Sequence, residues 1–522
     1  MKSSYPFFVA ERLPLQDHCG IVAAFAPKDF EFFKTGLAGL SILQTRGYDG
    51  AGFCAKSEKG QLFEHKDKGM VREVFRPSIA KDLKTIRAKS WVYQVRYGTS
   101  GEFTTNNVQP IVTKLGQAGE TFMVVHNGQF SQSANVKQSG QSDTLLFTQE
   151  LRDADGQNWD ERIVRVLSTK RGAWSLVVST DNALYVARDS WGLRPFVYGH
   201  LWDSITRQFV WVAASETSAL DAMGVTDYFE LMPGTIAKIS DKGLIILAKQ
   251  HERQRALCIF ENIYLQHGAG KAHMPRSSIR AVKRSPTIDD VRRRSGKILA
   301  REAPISLREV NMVIGVPGTG IEGGMTYARA LDLPYFQAIT DKSVSLTEQR
   351  TFMTADIDSI YQKVLEHFCF DAQALHGRRV VLVDDSIVRG NITRGLIYLL
   401  KHYYGVIDVH LRIVSPPIDK ACHLGVNTRS SKELIAARLN GDVERIRIEL
   451  GAKSLAYLSA EGLREAITGD PKTRGFCMGC MAGHQPPVDI NGNTVVQKSK
   501  RIKIIKDILP KNIYEHPQGF VY

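Results

Sequence analysis

The run Val381-Leu382-Val383-Asp384-Asp385-Ser386-Ile387-Val388-Arg389-Gly390 constrains the fold more than any other part of the chain. A hydrophobic strand ends in two acids, and a small-residue loop then opens a helical pattern over 393–402. Carboxylates at the C-terminal end of a strand can hold ribose hydroxyls or Mg²⁺, and the N–H groups of a helix N-terminus bind phosphate. A generic acidic turn does not explain the loop. The same strand-then-helix alternation appears at 310–316 leading into 321–331, so everything after about residue 253 reads as a doubly wound α/β sheet.

The first half has a different rhythm. Short β-rich segments such as 20–25 and 174–178 are separated by turn signals at Asn127-Gly128 and Pro233-Gly234, and helical periodicity appears only over 33–43 and 143–152. That mixture predicts an α+β domain. A length of 522 residues exceeds one core and predicts two large domains with a boundary near 255. The basic segment 271–284, which carries Ser and Pro, is expected to be an exposed linker or loop.

The net charge of +14 is spread along the chain apart from short groups such as Lys498-Ser499-Lys500-Arg501. It reads first as a solvated basic surface and would also suit a polyanionic small substrate, and no nucleic acid is expected as a partner. No apolar run approaches the ~18 residues that span a bilayer, and Phe7-Phe8-Val9-Ala10 is stopped by Glu11 and Arg12. The expected setting is cytoplasmic, away from any membrane. There, seven cysteines argue for catalysis or metal binding rather than for a disulfide framework.

Cys19-Gly20-Ile21-Val22 opens the first apolar strand behind the polar Asp17 and His18, and in isolation it would read as a half-buried strand cysteine. Downstream stand Arg46-Gly47-Tyr48-Asp49-Gly50-Ala51-Gly52, Val95-Arg96-Tyr97-Gly98-Thr99, His126-Asn127-Gly128 and Ser142-Asp143. In these words and this order the first domain resembles the N-terminal-nucleophile (Ntn) glutaminases, the class II glutamine amidotransferases. A thiol of pKa ~8.5 is poorly ionised at neutral pH, and a free α-amino group is one of the few bases suited to take its proton. Only a cysteine at the mature N-terminus carries that base on itself.

The resemblance therefore implies that residues 1–18 are a propeptide, with the glutaminase domain over 19–255. Cys19 would attack the glutamine carboxamide, and Asn127 and Gly128 would form the oxyanion hole. Arg96 would clamp the glutamine α-carboxylate, and Asp143 would pair with its α-ammonium.

The run 381–390 matches the phosphoribosyl pyrophosphate (PRPP) motif of type I phosphoribosyltransferases, and more narrowly that of the amidophosphoribosyltransferases. The likeness continues through Ile413-Val414-Ser415-Pro416-Pro417 and on to about residue 483. It implies a transferase domain over 256–485, followed by a C-terminal extension over 486–522. PRPP would be bound by Asp384, Asp385, Ser386, Val388, Arg389, Gly390, Asn391, Thr393 and Arg350, and Mg²⁺ by Thr319, Asp384 and Asp385.

Three stretches depart from the family. Its Pro-Asp-Ser-Gly appears here as Pro317-Gly318-Thr319-Gly320, and its Gly-Thr-Thr-Ser as Gly390-Asn391-Ile392-Thr393. Segment 342–352 keeps Arg350 but lacks most of the cations of the family's closing loop. These changes keep two alternatives open: an amidotransferase with another acceptor, or a regulatory paralogue that only senses phosphoribosyl compounds. Intact Asp384 and Asp385 count against the second.

Cys477-Met478-Gly479-Cys480, with Cys258 and Cys422, supplies four thiols suited to zinc or an iron–sulfur cluster. The resemblance implies a 4Fe–4S cluster, because these positions match the ligands of the cluster-bearing, propeptide-bearing branch of the family. Cys54 and Cys369 are expected to be core thiols. A homo-oligomer, dimer or tetramer, is implied by the family. The activity implied is formation of 5-phosphoribosylamine, pyrophosphate and glutamate from PRPP and glutamine.

Overall fold

The computed structural model describes residues 19–97, 104–116, 119–130, 141–249, 255–275, 281–342, 359–422, 424–426, 428, 430–484 and 503–504. The proposed leader, Arg350 and nearly all of the C-terminal extension lie outside the described residues.

The N-terminal half is built on two seven-stranded sheets, the second taking one edge strand, Lys503–Ile504, from the C-terminal extension. In the first, strand Gly20–Phe30 runs antiparallel between Ala88–Arg96 and Gln208–Ala214. Its odd residues Ile21, Ala23 and Phe25 pack with Met123, Val125 and Val177 of the second sheet. Its even residues Val22 and Ala24 pack under helices Phe33–Ile42 and Thr217–Ala222. Because side chains alternate with period 2, a strand buried on both faces has to be apolar throughout, and 20–26 is. The second sheet repeats the arrangement, with Val124, Leu176 and Val178 packed against helices Asp143–Asp153 and Trp159–Ser168. Helix, sheet, sheet and helix make four layers, the α+β class expected.

Asn127-Gly128, read from the sequence as a turn, is instead the interior of strand Thr121–Phe130, where Asn127 pairs with Ser175 and Gly128 with Trp174. The hairpin preference of Asn-Gly is a local one, and eight paired positions along this strand override it.

The C-terminal half carries a parallel sheet in the order Met312–Gly315, Arg379–Asp384, Asp408–Ile413, Ser454–Tyr457. Val381 and Val383 face a core with helices Ile288–Glu302, Gly320–Ala330 and Ala460–Thr468, while Val380 and Leu382 face Asn391–His402 on the other side. This is the expected α/β sheet.

The expected linker 271–284 is a correction. Ala272 and Val282 are fully buried, and Val282 belongs to the core of the N-terminal half. The Lys271 N–H donates to Thr217 Oγ1, and that of Ala272 to the Pro286 carbonyl. Two small apolar residues set among the basic ones fasten the described parts, 271–275 and 281–284, to the core.

Candidate active sites

The register that pairs Gly20 with Val95 and Ile21 with Gln94 brings Cys19 opposite Arg96 and diagonal to Gln94. By the period-2 rule Cys19, Gln94 and Arg96 share the face of Ile21 and Val92, and Asn127 shares that of Met123 and Val125. All four therefore lie at one end of the layer between the sheets. Asp143, the first residue of its helix, closes the group.

Burial pushes the Cys19 thiol up. Its bond to the Tyr97 carbonyl (3.9 Å), the charge of Arg96 and the Gln94 amide pull the other way, while Asp143 adds to the rise. Burial pulls the Arg96 guanidinium down, against the opposing influence of Cys19, Asp49 and Asp143. The Asp143 carboxylate is held in place, with Oδ2 accepting from the Phe130 N–H at 3.1 Å and Oδ1 from the Thr144 N–H at 2.9 Å.

Asn127 Nδ2 donates to Ser215 Oγ at 3.4 Å, and the same hydroxyl accepts from the Ile21 N–H at 3.0 Å. Gly128 has φ +128°, and a Cβ there would stand 2.0 Å from the Ala173 carbonyl oxygen, so no other residue fits. His126 stacks on Phe130, with ring centroids 4.4 Å apart, and burial lowers its pKa. Cys19, Arg96 and Asp143 thus lie within electrostatic reach of one another, and Ser215 ties Asn127, next to Gly128, to the strand that Cys19 precedes.

Gln94 was missed. Neither end of its fully buried amide has a hydrogen-bond partner of ordinary geometry, yet it lies close enough to Cys19 to lower the thiol pKa. A polar residue at an inward strand position was the available signal, and it shows only once the register is known.

In the second half, the loops 317–320 and 385–390 meet at the C-terminal ends of adjacent strands, paired Gly315 to Val383. Open α/β sheets bind ligands at such ends. Gly320 starts its helix so close to the next strand that a Cβ would stand 2.5 Å from the Val383 carbonyl oxygen. Thr319 caps that helix by position, and its hydroxyl donates to Asp385 Oδ2. Ser386 Oγ donates to Asp385 Oδ1 at 2.5 Å, and the Asp385 N–H to Asp384 Oδ1 at 2.9 Å.

Burial raises both carboxyls, and for Asp384 the neighbouring Asp385 raises it further. A cation between them would reverse that. Gly390, at φ +82°, starts helix Asn391–His402, inside which Thr393 is buried. The Val388 carbonyl accepts from the Ile435 N–H at 2.9 Å. Arg389 donates to Glu433 through Nε (3.0 Å) and Nη2 (2.6 Å), so this cation is already engaged by a carboxylate. Arg350 cannot be placed, since it lies outside the described residues.

Cys258 and Cys477 are register partners in a short parallel pair of strands. The Cys480 carbonyl accepts from the N–H groups of Asp419 and Lys420, and the Leu424 N–H donates to Cys422 Sγ at 3.3 Å. Burial, then Cys422, Cys258 and Cys477 raise the Cys480 thiol well above its ordinary value. Burial also pushes Cys258 up to about 11. The four thiols are neighbours, although among the described residues no group of three or more His, Cys, Asp or Glu is placed to hold a metal ion. Cys54 is a fully buried core thiol, whereas Cys369 is only partly buried, on the short strand Phe368–Phe370.

No protein-family model matches the chain. Individual proteins do. It is 32% identical to an amidophosphoribosyltransferase of Synechococcus elongatus over 485 residues, covering 90% of this chain and 92% of that protein. The Bacillus subtilis amidophosphoribosyltransferase is 31% identical over 510 residues, covering 95% of this chain and all of that protein. Among solved structures, the glutamine PRPP amidotransferase of B. subtilis complexed with ADP and GMP superposes with a TM-score of 0.74 at 30% identity, covering 90% of this chain and 97% of that one. A structure described as the allosteric regulatory enzyme of purine biosynthesis gives a TM-score of 0.75 at 29% identity, covering 94% and 98%. Sequence identity and fold agree over nine-tenths of its length, and the chain belongs to the amidophosphoribosyltransferases.

Proposed function

We infer that the protein hydrolyses glutamine at Cys19 and uses the ammonia to displace pyrophosphate from PRPP, giving 5-phosphoribosylamine, the first step of purine synthesis. The observation that carries this reading is the match to the B. subtilis amidophosphoribosyltransferase across 95% of this chain and all of that protein. The arrangement of the two sites supports it. Removal of residues 1–18 would give Cys19 a free amine to take the thiol proton, and the amide of Asn127 with the Gly128 N–H would stabilise the oxyanion. Arg96 and Asp143 would hold the two ends of the amino acid. Domain limits of 19–255 and 256–485, a cytoplasmic setting and a homo-oligomeric state belong to the same proposal.

At the second site, Asp384, Asp385 and Thr319 offer the hard oxygen donors that suit Mg²⁺, and the raised carboxyl pair fits a cation position. When bound, Mg²⁺ would neutralise charge developing on the departing pyrophosphate. Ser386, Val388, Gly390, Asn391 and Thr393 would line the phosphate of PRPP through the helix N-terminus, and Arg389 would bind it on release from Glu433. The resemblance to the cluster-bearing branch favours a 4Fe–4S cluster on the four thiols, and the same donors would suit one zinc. Such a centre would tie segment 477–480 to the strand at Cys258. Iron and zinc analysis of anaerobically purified protein separates the two.

The test of the two-site reading is a pair of variants in the matured protein. Cys19→Ala is expected to stop glutamine-dependent synthesis and spare the ammonia-dependent reaction, and Asp385→Asn to stop transfer while sparing basal glutamate release. Equal loss of both half-reactions in both variants would overturn it.

A further inference from the structure

Four charged side chains meet in the interior where the two halves touch, and none belongs to either expected site. Arg46 forks onto Glu261, Nη1 to Oε2 at 3.1 Å and Nη2 to Oε1 at 3.0 Å, and Nη1 also meets Glu216 at 2.5 Å. Its third nitrogen, Nε, donates to the main-chain carbonyl of Cys19 at 3.2 Å. Arg194 approaches the same Glu261 from the other side at 3.5 Å and donates to the Leu424 carbonyl at 2.5 Å. All four side chains are buried.

Arg46, Arg194 and Glu216 come from the N-terminal half. Glu261 comes from the turn Ile259–Asn262, directly after Cys258 and on the transferase side of the proposed boundary. Two guanidiniums and two carboxylates balance, so removing the charge of Glu261 leaves two buried cations facing one buried anion. A guanidinium presents its donors in a rigid fork, so fixing Nη1 and Nη2 fixes the direction of Nε. The acceptor of Nε is the carbonyl of the nucleophile residue itself. Where Arg46 is held therefore sets how the Cys19 main chain, its amine and its side chain are aimed.

We propose that Glu261 is a positioning residue for glutamine hydrolysis: the transferase half supplies the carboxylate that holds Arg46, and through Arg46 it holds Cys19. This rests on the reading of Cys19 as nucleophile. Glutamine hydrolysis then depends on a docked transferase half even before any second substrate binds, because the nucleophile's support is completed from across the boundary.

The experiment uses the full matured protein and compares the parent with Glu261→Gln and Glu261→Asp. Glutamate release at varied glutamine, ammonia-dependent phosphoribosylamine synthesis and the thermal midpoint are measured for each. Misaiming a nucleophile by a fraction of an ångström is felt in turnover, so Glu261→Gln is expected to lower kcat for glutamate release by about 100-fold with KM for glutamine within about threefold. Ammonia-dependent synthesis should stay within about twofold, because the second site is untouched. Glu261→Asp, which keeps the charge, should recover part of the lost kcat, and it decides by the same split if Glu261→Gln does not fold. An unchanged kcat in the folded variants, or parallel loss of glutamate release and ammonia-dependent synthesis, would overturn the proposal. Glutamate release that survives Cys19→Ala would instead remove the reading on which it rests.

Discussion

The Thr319 hydroxyl donates to the Asp385 carboxylate, and that single bond joins two loops 66 residues apart in sequence. Gly318 stands where the family has a carboxylate, and the hydroxyl that Thr319 keeps orients the carboxylate of Asp385. Thr319→Val keeps the shape and removes the donor. Losing one hydrogen bond to a charged group is worth about 1.5–3 kcal/mol, so the apparent KM for PRPP is expected to rise about tenfold or more. Ammonia-dependent synthesis at varied PRPP measures this, and an unchanged KM would show that the bond does not serve the site.

Gly128 leaves no room for a methyl group, with φ +128° and the Ala173 carbonyl oxygen 2.0 Å from where a Cβ would stand. Gly128→Ala is therefore expected to cost about 3 kcal/mol or more and to displace the backbone N–H assigned to the oxyanion hole. Chemical denaturation and glutamate release read the two effects. A variant with parental stability and activity would contradict this strand geometry.

Gln94 lies against the thiol with its amide unsatisfied, so Gln94→Leu should reduce glutaminase turnover by about 10-fold, the scale of one hydrogen bond to a developing thiolate. The rate of Cys19 alkylation as a function of pH gives a second view, with the apparent thiol pKa expected to rise. If both stay at parental values, the amide faces some other partner.

His126 is held below its ordinary pKa by burial and by Arg194, against the pull of Asp143. Between that lowered value and about 6.5 the unfolded chain takes a proton that the folded chain refuses. Stability should therefore fall as pH drops below about 6.5, and His126→Gln should make that slope shallower. The slope will not vanish, because His200, His410 and His484 are lowered as well and act with the same sign. Urea midpoints from pH 7.5 to 5 test this, and identical slopes in parent and variant would contradict it.

Much of this was legible in the sequence where the pattern was local. The strand at 379–384 and its acids could be read because hydrophobicity, charge and helix start fall within a dozen residues. The doubly wound half followed from periodicity alone. Asn127-Gly128 misled because its turn preference is intrinsic while its strand partners, Ser175 and Trp174, are nearly fifty residues away. The segment 271–284 misled through its charges, since the buried Ala272 and Val282 carry little weight in a composition. Gln94 and Glu261 could not be singled out: what marks them is a register diagonal in one case and a salt bridge spanning 215 residues in the other.

The central claim, two sites working as one amidotransferase, is tested most directly by following the amide nitrogen. The matured protein is given glutamine labelled with ¹⁵N at the amide, PRPP and Mg²⁺, and glutamate, pyrophosphate and labelled 5-phosphoribosylamine are measured together. The account predicts equal amounts of the three, with the label in the phosphoribosylamine even when unlabelled ammonium is present outside. Glutamate released with no pyrophosphate, or product carrying only the external nitrogen, would contradict it.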